Sequence, residues 1–210
     1  LPLVMRSYAP PPAVDRLVIS EVYYASAVES ECVETCNPTD GVIDLSGYRL
    51  SDAENPEAYE AMFEFPNGVS LPPRSATAIA VDSTCVPEAA LEFYDHASDV
   101  PDMLQVSDWG DPRYPFALRN AGDQVLLLSP HSQILDVVLW GDTRFGEVAP
   151  HPGVTNLAAS LSRHPAAQDT DDCADDFRET YPPTPETVTE LMLSYSIRTP
   201  NETAISFAAR

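Results

Sequence analysis

A run of aspartates near the end of the chain is the first candidate for chemistry. The segment QDTDDCADDF, residues 168–177, gathers carboxylates of the kind that bind Ca²⁺. The candidate ligands are Asp169, Asp171, Asp172 and Asp175. An EF-hand loop counted from Asp169 would need Gly at its sixth position and Glu at its twelfth, where the chain has Ala174 and Thr180. Two interpretations stay open, a calcium site and a set of turn-capping aspartates, and no other cofactor is expected.

Groups that could perform acid–base or nucleophilic catalysis are sparse. The four histidines lie in turn-like or polar contexts, without a nucleophile-elbow serine or metalloenzyme spacing: His96, His131, His151 and His164. Glu31 and Glu34 with Asp52 could mimic the carboxylate pair of a glycosidase, but so acidic a chain produces such combinations by chance. We predict that the chain is not an enzyme.

Aromatic residues offer a second kind of site, a platform on which a sugar ring stacks. The candidates are Trp109, Trp140, Tyr23, Tyr24 and Tyr94. The alternative for each of them is packing in the core or on a sheet face. A glycan is therefore one candidate ligand of the chain.

Strong acidity limits the partners of the chain. Its 33 acidic and 11 basic residues give a net charge of −22, which repels nucleic acid backbones and anionic membrane surfaces. All the basic residues are arginines. Without lysine, the chain cannot form a Lys–Asn isopeptide bond, a Schiff base or a lysine nucleophile. No apolar run is long enough to span a bilayer, so membrane insertion is not expected.

The number and spacing of the cysteines indicate whether the protein works in an oxidising or a reducing compartment. Four cysteines, an even number, suit two disulfides in an oxidising compartment, whereas four buried thiols in a cytosolic protein are the alternative. In ECVETCN, Cys32 and Cys36 would lie about 13 Å apart on one face of a strand, too far to pair with each other. The spacing to Cys85 and Cys173 lacks the paired C-x-x-C motifs of structural zinc sites.

Short β-rich runs separated by turn signals predict an all-β sandwich. The runs are RLVISEVYY, CVETCN, GYRLSD, AMFEFP, SATAIAVD, FALRNAGDQVLLLSP, ILDVVLWG and AASLSRHP. In QVLLLSPHSQILDVVLW, a turn separates two apolar runs of similar length, which predicts an antiparallel hairpin in the sheet interior. Residues 83–114 are predicted to form one long connection, with a short helix in PEAALEFYDHA, residues 87–97.

The chain divides into three parts. Residues 1–15 are predicted to form an extended apolar arm and a Pro-rich spacer, because three consecutive prolines stiffen the chain and end a strand. Residues 16–185 contain the predicted sandwich. Residues 186–210 return to alternating apolar residues and predict a C-terminal β-hairpin extension.

Several motifs occur in the same order as in a known family. The most specific are IDLSGYRLSD, residues 43–52, and SLSRHPAAQDTDDCADDF, residues 160–177. Over residues 16–185 the chain resembles the bacterial lamin tail domain family. The resemblance implies an immunoglobulin-like β-sandwich, found on secreted and surface proteins of bacteria, frequently as an accessory module. Because a fold does not fix an activity, the implied function rests on analogy.

The chain departs from this family at its cysteines. An aromatic residue is common at the positions of Cys32 and Cys36, and a small polar residue at that of Cys173. With Val33 facing the core, the two strand cysteines would face outward, and each could hold a separate covering segment. We predict that Cys32 pairs with Cys173 and Cys36 with Cys85, each bridge adding about 2 to 4 kcal/mol.

The N-terminal arm suggests how the protein assembles. Its apolar residues are Leu1, Leu3, Val4 and Met5. Because a short strand needs a sheet edge, the arm is expected to add to the sheet of a neighbouring subunit, and a head-to-tail contact of this kind propagates into a filament. The alternative is an arm that folds back on its own sandwich or is a linker remnant.

These observations predict a secreted structural subunit of an extracellular filament or cell-surface layer, which self-associates into a homopolymer. Two alternatives stay open: a monomeric binding or adhesion module that recognises carbohydrate or a surface protein, and an accessory domain of a secreted hydrolase. The first residue is Leu1 rather than Met, as expected of a processed chain.

Overall fold

The computed structural model describes residues 15–25, 30–84, 86–97 and 99–185. In this part of the chain nearly all the regular structure is β. The strands are β1 (Val18–Tyr23), β2 (Cys32–Asn37), β3 (Ile43–Asp44), β4 (Arg49–Ser51), β5 (Ala61–Glu64), β6 (Ser70–Leu71), β7 (Ser75–Ala80), β8 (Leu91–Glu92), β9 (Leu104–Gly110), β10 (Gly122–Leu128), β11 (Ile134–Gly141), β12 (Ser160–Arg163) and β13 (Phe177–Thr180). A single turn of helix, α1 (Cys173–Asp176), precedes β13.

Two sheets pack face to face as an immunoglobulin-like β-sandwich. The six-stranded sheet has the order β13-β12-β1-β2-β7-β8, and its pairs are antiparallel except β7 with β8. The five-stranded sheet has the order β11-β10-β4-β5-β9 and is antiparallel throughout. Strands β3 and β6 form a separate small ribbon. The predicted fold class is confirmed.

Alternating apolar residues on the two sheets form the core between them. In β2, Val33 lies in this core, whereas Cys32 and Cys36 belong to two smaller apolar clusters. Strand β10 is buried along its whole length, as expected of an interior strand covered on both faces. At one end of the core, the ring of Trp140 stacks on that of Tyr24 with centroids 4.1 Å apart.

A buried ion pair joins the two sheets. Arg163 of β12 and Asp136 of β11 have side chains that are each 1% exposed, and Arg163 Nη2 donates to both Asp136 oxygens at 2.6 and 2.8 Å. The same guanidinium donates from Nε to the carbonyl of Ile19 at 2.7 Å and from Nη1 to that of Gln168 at 2.6 Å. It also lies over the ring of Phe177, 4.5 Å from the centroid. Much of the second family motif therefore folds around one guanidinium.

The predicted runs match the strands unevenly. The runs CVETCN and ILDVVLWG coincide with β2 and β11, and β10 and β11 form the expected antiparallel hairpin. This hairpin is not wholly interior, because β11 ends the strand order of its sheet. Within the described part of residues 87–97 there is no helix, and the expected long connection contains β8 and β9. Apart from Asp15, the predicted arm and the predicted C-terminal hairpin lie outside the described residues.

Cys173 does not follow the predicted pairing. Cys173 is a buried free thiol in the main core, where it accepts a hydrogen bond from Leu139 N at 3.5 Å. It therefore does not pair with Cys32, which lies on the other face of its sheet in a cluster with Val86. The predicted pair of Cys36 with Cys85 is not testable here, because Cys85 lies outside the described residues.

The two covering segments expected over β2 exist but are exchanged. The segment that follows Cys85 packs on Cys32 through Val86 and Ala89, whereas Cys36 is covered by Ala166. Burial is the main cause that raises the pKa of Cys36 to about 12, as it does that of Cys173.

Candidate functional site

The longest uncovered sheet edge in the described chain is β9. This strand has a single ladder partner, β5, and most of its residues are exposed or partly exposed. Leu104 is 47% exposed, while Val106 and Trp109 pack partly against the core. Trp109 Nε1 donates to the carbonyl of Ala53 at 2.9 Å, which fixes one end of the strand. A strand in this position presents a row of backbone N–H and C=O groups to another chain.

The other sheet edges are shorter or covered. β8 has two residues and β13 has four. β11 is longer, but His151 N donates to Leu139 O and Gly141 N donates to His151 O, both at 2.9 Å. These bonds cover part of the outer side of β11. β9 is therefore the edge best suited to accept a further strand.

Beyond the end of β9, loops from both sheets meet at one end of the sandwich. Residues 116–119, between β9 and β10, have no strand partner in the described chain and are held by side chains. The donor and acceptor pairs are Phe116 N to Tyr94 Oη at 2.7 Å, Ala117 N to Asp52 Oδ2 at 3.1 Å, Leu118 N to both carboxylate oxygens of Glu31 at 2.9 Å, and Arg119 N to Asp123 Oδ2 at 2.8 Å. Three different carboxyl groups thus hold three consecutive amides.

Burial and crowding perturb these carboxyl groups. Burial is the main cause that raises the pKa of Glu31 to about 7 and that of Asp52 to about 8, against the opposing effect of the amides that they accept. Burial likewise raises the pKa of Asp123 and takes that of Glu60 to about 7. Nearby carboxylates raise each of these pKa values further. Arg119, whose guanidinium lies 3.3 Å from the Glu60 carboxylate, lowers the pKa of Glu60.

An acidic cleft of about 530 Å³ lies on the same end of the sandwich. Its carboxylates are Glu54, Glu57, Glu60 and Asp123, and its one basic residue is Arg119. At its edge Tyr59 is 73% exposed and meets the ring of Tyr114, with centroids 5.6 Å apart. The cleft could contact a polar ligand through its carboxylates and a flat ligand through Tyr59.

The residues singled out from the sequence are only partly brought together. Glu31 and Asp52 do meet at one segment, but they hold its backbone, and Glu34 lies apart and accepts a hydrogen bond from Ser20. Sequence reasoning missed Asp123 and Tyr94 in this role. The one sequence signal that marks Asp123 is its position in AGDQ, directly before an apolar run.

The candidate aromatics do not gather into one exposed platform, and packing, the alternative, describes most of them. Trp140 and Tyr24 are buried and stack on each other in the core. The hydroxyl group of Tyr94 accepts a hydrogen bond from Phe116 N, and Tyr23 packs on the cluster around Cys32. The exposed pair is Tyr59 with Tyr114, which no regular spacing in the sequence marks.

Two of the four candidate calcium ligands have other contacts. Asp169 lies 2.6 Å from Arg16 and 3.5 Å from Arg163. Asp172 is the N-cap of α1 and accepts from Ala174 N at 3.0 Å. In the described chain, the carboxylate groups close enough to share an ion do not include Asp169, Asp171, Asp172 or Asp175. The structure therefore favours the turn-capping interpretation.

Two overlapping groups near β8 have a spacing that could hold a cation. They are Asp82 with Glu92 and His96, and Glu92 with Asp95 and Asp102, with ligand atoms within 4.8 Å of one another. Glu92 itself is fully buried and accepts bonds from Ser83, His96 and Ala97 at 2.7 to 3.3 Å. These donors outweigh the effect of burial and lower the pKa of Glu92. Glu92 thus organises the connection after β7 through its own hydrogen bonds.

The fold and its loop end define an all-β, immunoglobulin-like module. The Lamin Tail Domain model matches residues 10–142, and the chain belongs to this family. A DUF4876 family protein from Bacteroides thetaiotaomicron VPI-5482 has a similar crystal structure, with a TM-score of 0.64 at 15% identity, over 81% of this chain and 72% of that chain. At that identity the likeness shows the fold alone. No curated protein matches the chain. No helix in the described residues is long and apolar enough to cross a bilayer.

Proposed function

We propose that the chain is an extracellular structural subunit that assembles into a filament or surface layer by strand addition between copies. The observation that supports this proposal is the uncovered edge of β9, a strand of seven residues with one ladder partner. Its ladder pairs Leu104 and Gln105 with Glu64 and Phe63 and then Gly110 with Ala61, so a bulge between Gln105 and Gly110 bends the edge, and the part that begins at Leu104 is its regular part. Backbone hydrogen bonds would supply affinity and side-chain contacts would supply register.

The proposed incoming strand is the apolar segment 1–5 of a second copy. Leu1, Leu3, Val4 and Met5 lie outside the described residues, so their role rests on the sequence. Leu104 and Val106 give the β9 edge apolar side chains for such a strand to contact. Exposed apolar residues on an edge strand are otherwise a liability that proteins suppress with charge or proline.

The extracellular location is supported by the acidity of the chain and by the resemblance to bacterial surface proteins. The thiol of Cys173 adds no support for an oxidising compartment. The absence of catalytic activity also stays a prediction.

The decisive experiment is size-exclusion chromatography with light scattering, followed by negative-stain imaging, on the full chain and two single variants. Leu104→Lys places a charge on the β9 edge, and Leu157→Lys places the same charge at a leucine that is 58% exposed outside the strands. We expect Leu104→Lys to abolish assembly and Leu157→Lys to leave it unchanged. Equal behaviour of the two variants would contradict a role for β9.

Deletion of residues 1–8 tests the donor separately. If assembly depends on β9 but survives this deletion, strand addition stands and the donor lies elsewhere in the chain. If the full chain is a monomer at all concentrations, the structural-subunit proposal fails.

A second candidate function is supported by the exposed Tyr59 beside the acidic cleft. In it, the chain is a monomeric module that binds a glycan by ring stacking. Isothermal titration with soluble polysaccharides would show saturable binding that Tyr59→Ala removes and Tyr181→Ala, a change at another exposed tyrosine, preserves. Absence of binding to any neutral or charged glycan would remove this candidate.

A further inference from the structure

The acidic cleft at the loop end carries negative charge that its own residues do not balance. Four carboxylates line it, and the side chain of Arg119, the one basic residue in its wall, is 73% exposed. Arg119 Nη2 donates to Glu60 Oε1 at 3.3 Å. The other oxygen, Glu60 Oε2, is buried and accepts no hydrogen bond from any described residue, in a side chain that is 16% exposed. A buried carboxylate oxygen without a donor is costly, and an N–H group of a ligand would remove that cost.

Two of these carboxylates belong to residues with fixed positions. Glu60 directly precedes β5, and its carbonyl accepts a hydrogen bond from Asp111 N at 2.8 Å. Asp123 is 3% exposed, and its carboxylate accepts hydrogen bonds from Arg119 N at 2.8 Å and Gln124 N at 3.1 Å. The cleft therefore presents preformed negative charge, and little conformational freedom is lost when a ligand binds there.

The spacing of the carboxylates favours an organic cation over a metal ion. A divalent metal ion needs several oxygen ligands close together. Among the described residues, the groups of three or more ligands that lie within 4.8 Å of one another include no carboxylate of this cleft. A guanidinium group has five N–H donors in a planar fork and is weakly hydrated, so it can bridge acceptors that are farther apart. Its flat face also stacks on aromatic rings, and Tyr59, which lines the cleft, is 73% exposed.

We propose that this cleft binds a guanidinium group, of the kind that an arginine side chain carries, with Glu60 Oε2 as an acceptor and the ring of Tyr59 as the stacking face. The exposed carboxylates of Glu54 and Glu57 attract the cation toward the cleft, and Asp123 adds charge from the wall. The site does not depend on strand addition at β9, because a single copy of the chain contains all of it.

Isothermal titration of the full chain with N-acetyl-arginine amide tests the proposal. Burial, followed by the charges of Asp123 and Glu54, raises the pKa of Glu60 to about 7, so the titration is made near pH 8.5, where Glu60 is ionised. N-acetyl-citrulline amide is the matched neutral probe, with nearly the same shape. We expect saturable binding of the arginine probe, at least tenfold tighter than that of the citrulline probe, because hydrogen bonds between charged groups are the stronger ones. Equal affinity for the two probes, or no binding of either, would overturn the proposal.

Variants with opposite expected effects locate the site. Glu60→Gln keeps the shape of the side chain and removes its charge, so it should weaken binding of the arginine probe at least tenfold. Glu88→Gln, at an exposed position outside the cleft, should leave the affinity unchanged. Arg119→Gln removes a competing cation and should tighten binding. Weaker binding by Arg119→Gln, or unchanged binding by Glu60→Gln, would overturn the proposal.

The tyrosine is tested separately. Tyr59→Phe keeps the ring and should keep the affinity, whereas Tyr59→Ala should weaken binding of the arginine probe about two- to fivefold, as expected of a cation on an exposed ring. Full affinity in Tyr59→Ala would remove the stacking face from the proposal.

Light scattering with the same probe identifies the source of the guanidinium group. All the basic residues of the chain are arginines, so a second copy is one possible source. Excess N-acetyl-arginine amide should then dissociate the copies, whereas association that persists with the probe bound assigns the cleft to an arginine of another molecule. A chain that binds the probe and is a monomer at all concentrations supports this proposal and contradicts only assembly into a filament.

Discussion

Replacement of Arg163 by Met is expected to lower the free energy of unfolding by about 3 to 5 kcal/mol. The magnitude follows from the buried carboxylate that the substitution leaves without its ion-pair partner. Asp136, whose side chain is 1% exposed, would keep only the hydrogen bond from Ile19 N at 2.8 Å. The carbonyls of Ile19 and Gln168 would also lose donors. Met fills a similar volume, so the loss reports the unpaired charge rather than a cavity.

Urea denaturation followed by tryptophan fluorescence measures this change, with a matched control at the surface. Arg113 pairs with Asp111, but its side chain is 80% exposed, so Arg113→Met should alter stability by less than about 1 kcal/mol. The double variant Arg163→Met with Asp136→Leu should recover much of the lost free energy of unfolding, because it also removes the unpaired buried carboxylate. A loss below about 1 kcal/mol for Arg163→Met would refute the central role of this ion pair.

Three further predictions follow from other buried groups. Burial raises the pKa of Glu31 to about 7 and that of Asp52 to about 8, so the folded state favours their protonated forms. The free energy of unfolding should therefore fall as the pH rises from about 5 through 8. A urea midpoint that stays constant over this range would contradict the prediction. Cys173, with its pKa raised to about 12, should react with iodoacetamide only after unfolding, and labelling of the native chain seen by mass spectrometry would count against its position. Glu92→Gln should cost about 1 to 3 kcal/mol in thermal or urea unfolding, whereas Glu88→Gln at an exposed position should be neutral within about 0.5 kcal/mol.

The sequence predicts those strands whose own pattern is decisive. CVETCN and ILDVVLWG have dense apolar or β-branched residues between turn signals, and they coincide with β2 and β11. The sequence does not predict β9, because LQVSDWG has little apolar periodicity. This strand is an exposed edge, and its pairing with β5 determines its conformation. The predicted helix in residues 87–97 failed for a related reason. Pairing with β7 holds Leu91 and Glu92 extended, and local hydrogen bonds from His96 N and Ala97 N to the Glu92 carboxylate shape the turn that follows.

The loop-end site was harder to predict because its parts are far apart in the chain. Glu31 and Leu118 are 87 positions apart, and Asp52 and Ala117 are 65 apart. No local spacing connects such residues. The cysteine error has the same origin: strand alternation placed Cys32 and Cys36 on the outer face correctly, but it carried no information on which distant segment covers each.

Self-association of this chain should strengthen as salt is added. Two copies that each carry a net charge of −22 repel one another, and at about 0.15 M ionic strength the Debye length falls to roughly 8 Å, which screens charges across much of an interface. Strand addition at β9 gains backbone hydrogen bonds that salt leaves intact, so light scattering should show tighter assembly between about 0.02 and 0.3 M NaCl. A cationic partner in the acidic cleft would show the reverse dependence, because salt would screen attraction instead of repulsion. Assembly that weakens steadily with salt would therefore contradict contact between like copies through β9.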